Sequence, residues 1–141
     1  MIAGGGEQLT LRAVARLADA CNVGGDPEMV KHKLAMLRTH CDAAQRDFDT
    51  IATTHNNSWL LGRDEAAVAV KRERLAARGP LRGFVGTVSA AIDLIGQYQE
   101  AGVRLLINIV TGLPFGRLGR KRAARRSPQP TGLSFAFSEE V

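Results

Sequence analysis

The feature that most narrows the fold is the rhythm of the first 110 residues. Short stretches of strand character run through glycine-rich turns into helical patterns, with almost no chain left between them. Met1–Gly6 reads as the end of a strand entering a glycine turn. A helix then follows from about Gln8 to Ala18, because Leu11, Val14, Ala15 and Ala18 recur at the three-and-four spacing that gathers them on one face. Asp19–Val23 is a second strand, closed by Gly24-Gly25. With connections this short the helix is itself the crossover, and strands joined by a helical crossover are parallel.

The same rhythm continues. Asp26 suits the cap of the next helix, Pro27 its first turn and Glu28 its positive end. Val30, Leu34, Leu37 and Cys41 then form an apolar stripe, which should run to about Ala44. Lys31, His32, Lys33, Arg38 and His40 lie largely opposite, as a solvated face or, in the sharper reading, an anion-binding one. Ile51, Thr53, Thr54 and Trp59 have strand character, but His55-Asn56-Asn57-Ser58 interrupts them. A buried strand does not tolerate such a run, so part of it should be exposed or line a cavity. Asp64 caps a helix that ends at Gly79-Pro80. Gly83–Thr87 is a strand feeding a helix from about Val88 to Ala101, with Val88, Ala91, Ile92, Ile95 and Tyr98 on its stripe, and Val103–Val110 is the clearest strand. The expectation is an α/β fold with strands near 1–4, 19–23, 50–54, 83–86 and 103–110.

Length and composition set the outer limits. A chain of 141 residues is one modest domain. It is too short for a complete eight-unit α/β barrel, which takes roughly 250 residues. Aromatics are only 5%, so the core must come mainly from Ala, Val, Leu and Ile. Two cysteines are too few for a disulfide scaffold, and Cys21 and Cys41 fit reduced thiols with a structural role. No run approaches the ~20 apolar residues of a membrane span, and the first residues do not read as a secretory signal, so a cytoplasmic setting is expected.

The net charge of +5 is unevenly spread. Residues 1–110 hold 13 basic and 12 acidic side chains, residues 111–141 hold 6 and 2. The chain therefore divides into a body, 1–110, and a basic tail, 111–141, too rich in Gly, Pro, Ser and Arg to repay the entropy of ordering. The Arg-rich run 117–126 could attract phosphates, but it contains no aromatic residue for base stacking, so nucleic acid is not the expected partner.

Met-Ile-Ala-Gly-Gly-Gly-Glu-Gln-Leu-Thr-Leu-Arg-Ala-Val-Ala-Arg-Leu-Ala-Asp-Ala-Cys-Asn-Val (1–23), Gly-Asp-Pro-Glu-Met-Val-Lys-His-Lys-Leu (25–34), Leu37-Arg38-Thr39-His40-Cys41, Arg46-Asp47-Phe48, Gly83-Phe84-Val85-Gly86-Thr87 and Ala101-Gly102-Val103 occur in this order. As an ordered set they resemble the C-terminal part of luciferase-like flavin and deazaflavin oxidoreductases, over about residues 1–107. The resemblance implies a partial TIM (β/α)8 barrel made of its C-terminal strand-helix units. It also implies coenzyme F-420 or FMN at the C-terminal ends of the strands, and hydride transfer with a small-molecule substrate or flavin-dependent monooxygenation. A start inside a late barrel strand and a basic tail unlike the family's last helix suggest a truncated or frameshifted and inactive fragment, prone to self-association through open sheet edges.

Gly4, Gly5 and Gly6 are the candidate cofactor-binding residues. Glycines let backbone N–H groups approach a phosphate while the following helix directs its positive end there. The same residues also suit a plain tight turn, and it is the resemblance that favours the phosphate. Gln8 stands where the family usually has a basic residue. His32, His40, His55, Cys21 and Cys41 have no metal-ligand spacing, so no metal site is expected. The alternative to an oxidoreductase is a small non-enzymatic α/β module whose Arg-rich tail binds nucleic acid.

Overall fold

The computed structural model describes residues 1–4, 6–76, 79–80 and 83–111, and the backbone of 134–138. Its centre is a six-stranded sheet in which every neighbouring pair is parallel. The strands are β1 (Ile2–Ala3), β2 (Ala20–Asn22), β3 (Ala52–Gly62), β4 (Phe84–Thr87), β5 (Leu105–Thr111) and β6 (Ser134–Ser138). Four helices alternate with them: α1 (Thr10–Leu17), α2 (Pro27–Ala43), α3 (Glu65–Ala76) and α4 (Val88–Glu100). The sheet order is β1-β2-β3-β5-β6, with β4 also paired to β3.

The long strand β3 organises the sheet. Its first residues pair with β2, its last with β4, and the stretch between with β5. Thr54 is shared by β2 and β5, and Trp59 and Leu60 by β4 and β5, which puts β2 and β4 on the same side of β3. The strand therefore does not end near residue 54 as the sequence suggested. Side chains alternate between the two faces of a strand, so the polar run is divided rather than buried whole. His55 is only 3% exposed beneath α4, while Asn56 on the other face is exposed.

One face of the sheet carries Cys21, Trp59 and Leu106 into a common core with α1, α2 and α4. The expected stripes are seen on α1 (Leu11, Val14, Ala15) and α2 (Val30, Leu34, Leu37, Cys41), all buried. Each leucine contributes about 1.5–3 kcal/mol of transfer free energy. On α4 the buried line runs through Ala91 and Tyr98, with Leu94 and Ile95 partly covered. Val88 and Ile92, expected on that line, are 48% and 62% exposed.

β6 lies alongside β5, with Leu105 opposite Ser134 and Ile109 opposite Ser138. The sequence reading placed no element there, because it weighed the tail by its Gly, Pro, Ser and Arg content and passed over the alternation of Phe135 and Phe137 in Ser-Phe-Ala-Phe-Ser. The rest of the tail, including 117–126, falls outside the described residues. Among the described residues no helix is long and apolar enough to cross a membrane.

Candidate functional site

In a parallel sheet the loops leaving the C-terminal ends of the strands converge on one edge. The glycine loop leaves β1 at that edge. The Gly4 N–H donates to the Asn22 carbonyl (3.3 Å), which ties the loop to the end of β2 beside Val23. Gly4 has φ +145°, a conformation that residues with a Cβ rarely adopt. Thr87 has the same polarity but lies further out. It pairs with Gly62, eight residues beyond Thr54, the partner of Asn22, which is roughly 26 Å at about 3.3 Å per residue. Gly5 falls outside the described residues.

The helix behind this loop begins differently from the others. In α2, α3 and α4 a side chain accepts from the first turn: Asp26 from the Met29 N–H, Asp64 from Ala67 and Thr87 from Ala90. In α1 the cap position holds Leu9, with no side-chain cap hydrogen bond. The first N–H groups of a helix have no partner within it, but at α1 most find one in the turn ahead: the Ala13 N–H donates to the Leu9 carbonyl (3.0 Å), and among the first four the Arg12 N–H is the one left for solvent or an anion. The Gly6 carbonyl closes the turn by accepting from the N–H of Thr10 and of Leu11, each at 3.1 Å. A Cβ on Gly6 would stand 2.9 Å from Thr10 Oγ1, in the space ahead of the helix. Among the described residues, the groups gathered ahead of α1 are the Thr10 hydroxyl, packed against Gly4 and Gly6, and the Arg12 N–H in the first turn.

The loop is held from α2. His40 Nε2 donates to the Glu7 carbonyl (2.9 Å), and His32 Nε2 lies 3.3 Å from Glu7 Oε1. Lys33 Nζ donates to the Gly24 carbonyl at 2.7 Å. Much of the basic face of α2 thus steadies two neighbouring loops.

The loop from β2 to α2 has a second anchor that the sequence did not single out. His55 Nδ1 donates to the Val23 carbonyl (2.7 Å) and the Tyr98 hydroxyl to the Gly25 carbonyl (3.0 Å). The two rings stack, with centroids 4.2 Å apart and planes at 23°. The available signals were one histidine inside a strand and one tyrosine in an aliphatic stripe. Burial lowers the His55 pKa, and the hydrogen bond to Val23 opposes that only in part. An unfolded histidine titrates near pH 6.5, so below that pH the unfolded chain holds a proton that the folded one does not. Stability should therefore fall as the pH drops below about 6.5, by up to about 1.4 kcal/mol per pH unit for this one group. Urea unfolding at pH 7.5 and 5.5 checks this, and His55→Gln, which keeps a donor but cannot titrate, should reduce the difference.

Cys21 and Cys41 are both buried, and burial, with Cys41 nearby, pushes the Cys21 thiol up to about 11. Neither is placed to act as a nucleophile at neutral pH.

No protein-family model matches the sequence, and no curated protein does. Among solved structures the chain is similar to a coenzyme F-420-dependent tetrahydromethanopterin reductase from Methanopyrus kandleri. The identity is 16% and the TM-score 0.56, over 82% of this chain and 45% of that one. It is also similar to the long-chain alkane monooxygenase LadA, at 16% identity and a TM-score of 0.62, over 75% of this chain and 35% of that one. The chain thus spans less than half the length of either. At these identities the likeness is one of fold: an α/β fold with a parallel sheet, resembling the luciferase-like TIM barrels.

Proposed function

We propose that the chain is the phosphate-holding part of a luciferase-like oxidoreductase, with coenzyme F-420 or FMN as the cofactor. The observation that carries this reading is the start of α1, uncapped and behind a glycine turn, at the C-terminal edge of a parallel sheet whose fold resembles an F-420-dependent reductase. When bound, such a cofactor supplies a ring that gives or takes a hydride. The chain's own contribution is binding. The Arg12 N–H in the first turn of α1 and the Thr10 hydroxyl hold the phosphate, Gly4 and Gly6 keep the approach clear, and His40 and His32 fix Glu7 and with it the loop.

Binding is the appropriate readout, since the chain spans under half of each structural neighbour. Titration with FMN and with coenzyme F-420, followed by their absorbance and fluorescence, should show saturable binding that inorganic phosphate displaces. Gly4→Ala forces a strained φ and should weaken binding by about 1–3 kcal/mol, roughly 5- to 150-fold, through the loss of one or two charge-assisted hydrogen bonds. A circular-dichroism melt of the variant checks that it is folded. Absence of binding of both cofactors, or unchanged affinity in the folded variant, would return the loop to a plain turn.

A further inference from the structure

Three buried polar atoms on the helix-covered face of the sheet have no partner among the described residues: His55 Nε2, Trp59 Nε1 and Asn108 Oδ1. Their residues are 3%, 2% and 3% exposed. Asn57 pairs with Asn108 across β3 and β5, so Asn108 stands diagonally between His55 and Trp59 on one face. Diagonal neighbours lie within reach of long side chains, and an imidazole and an indole are long enough to close on one small molecule beside Asn108 although His55 and Trp59 stand about 13 Å apart along β3.

The chemistry of the three atoms selects that molecule. His55 Nδ1 gives its proton to the Val23 carbonyl, so in the neutral ring Nε2 is an acceptor. Asn108 Oδ1 is also an acceptor, and the Trp59 indole is a donor only. The two acceptors cannot pair with each other. A guest must donate two hydrogens and accept one, which excludes a carboxylate, because it only accepts, and an ammonium ion, because it only donates. Water does both, and buried waters typically make about three hydrogen bonds.

We propose that an internal water is bound between β3, β5 and α4, donating to His55 Nε2 and Asn108 Oδ1 and accepting from the Trp59 indole. It links the ring that holds Val23 to the middle of the sheet, and it is independent of the cofactor reading. The chain has a single Trp, so its indole proton is an unambiguous probe. In the full chain labelled with nitrogen-15, that proton should show a cross-peak to water with the sign of a long-lived bound molecule. In Asn108→Leu the cross-peak should be lost or weakened several-fold. A crystal structure should show a solvent peak within hydrogen-bond distance of all three atoms. Absence of the cross-peak in the wild type, or density showing the indole bonded directly to Asn108 with no solvent between, would overturn the proposal. Should Asn108→Leu fail to fold, the two wild-type measurements decide it alone.

Discussion

Gly83→Ala should destabilise the protein by about 3 kcal/mol or more, a large share of the 5–15 kcal/mol typical of a domain. Two independent costs coincide at this residue. Its φ is +86°, where a Cβ crowds its own backbone at about 1–2 kcal/mol. That Cβ would also overlap the Ser58 carbonyl oxygen and approach Asn57 Oδ1 to 2.7 Å, and a strand backbone cannot move aside as a flexible side chain can. Relief requires β4 to back away from β3. That would open the register from Trp59–Phe84 to Gly62–Thr87 and part the Trp59 and Phe84 rings, whose centroids are 5.1 Å apart. The control is Gly96→Ala on α4, where nothing lies within 4 Å of the added methyl. There the change should stabilise by roughly 0.5–1 kcal/mol, as alanine does in a helix. Urea denaturation of both variants measures the contrast. A Gly83→Ala protein within about 0.5 kcal/mol of the wild type would mean that β4 does not lie against Ser58 as described.

The helices were the most legible part of the sequence, because their signals are local. Asp26, Pro27 and the Val30–Cys41 stripe fix α2 within a turn of itself, and the helix observed, Pro27–Ala43, follows them closely. Strand limits depend on neighbours far along the chain. Nothing near His55–Ser58 announces that Leu106–Ile109 will lie beside it, yet that pairing is what carries β3 through a polar run to Gly62. The split of that run between a buried and an open face was legible only in part, since alternation says which residues share a face but not which face is covered. The glycine loop was legible as a turn before a helix. Its uncapped start and its support by His40 and His32 were not, because they depend on the packing of α1 against α2. The exposure of Val88 and Ile92 has the same origin: a stripe on α4 shows which residues could be buried, and the neighbouring elements decide which are.

Tyr98→Ala should cost about 3–5 kcal/mol and Tyr98→Phe about 1 kcal/mol, and the difference separates what the ring does from what the hydroxyl does. The ring is 3% exposed, belongs to the core shared by α2, α4 and the sheet, and covers the His55 imidazole. Its removal leaves a cavity in the middle of that core and admits water to a histidine held neutral by burial. The folded pKa of His55 should then rise towards its unfolded value, so the loss of stability below about pH 6.5 should shrink in Tyr98→Ala even though the protein is weaker at every pH. Tyr98→Phe leaves the stack in place and removes only the donor to the Gly25 carbonyl. Its acid response should match the wild type, and its effect should be local: faster amide exchange at Gly24 and Gly25, the loop beside the end of β1. Chemical denaturation across pH 5–8, with hydrogen exchange at those two glycines, tests both halves. Equal destabilisation by the two substitutions would show that the hydroxyl, not the stacked ring, is what holds α4 to the sheet.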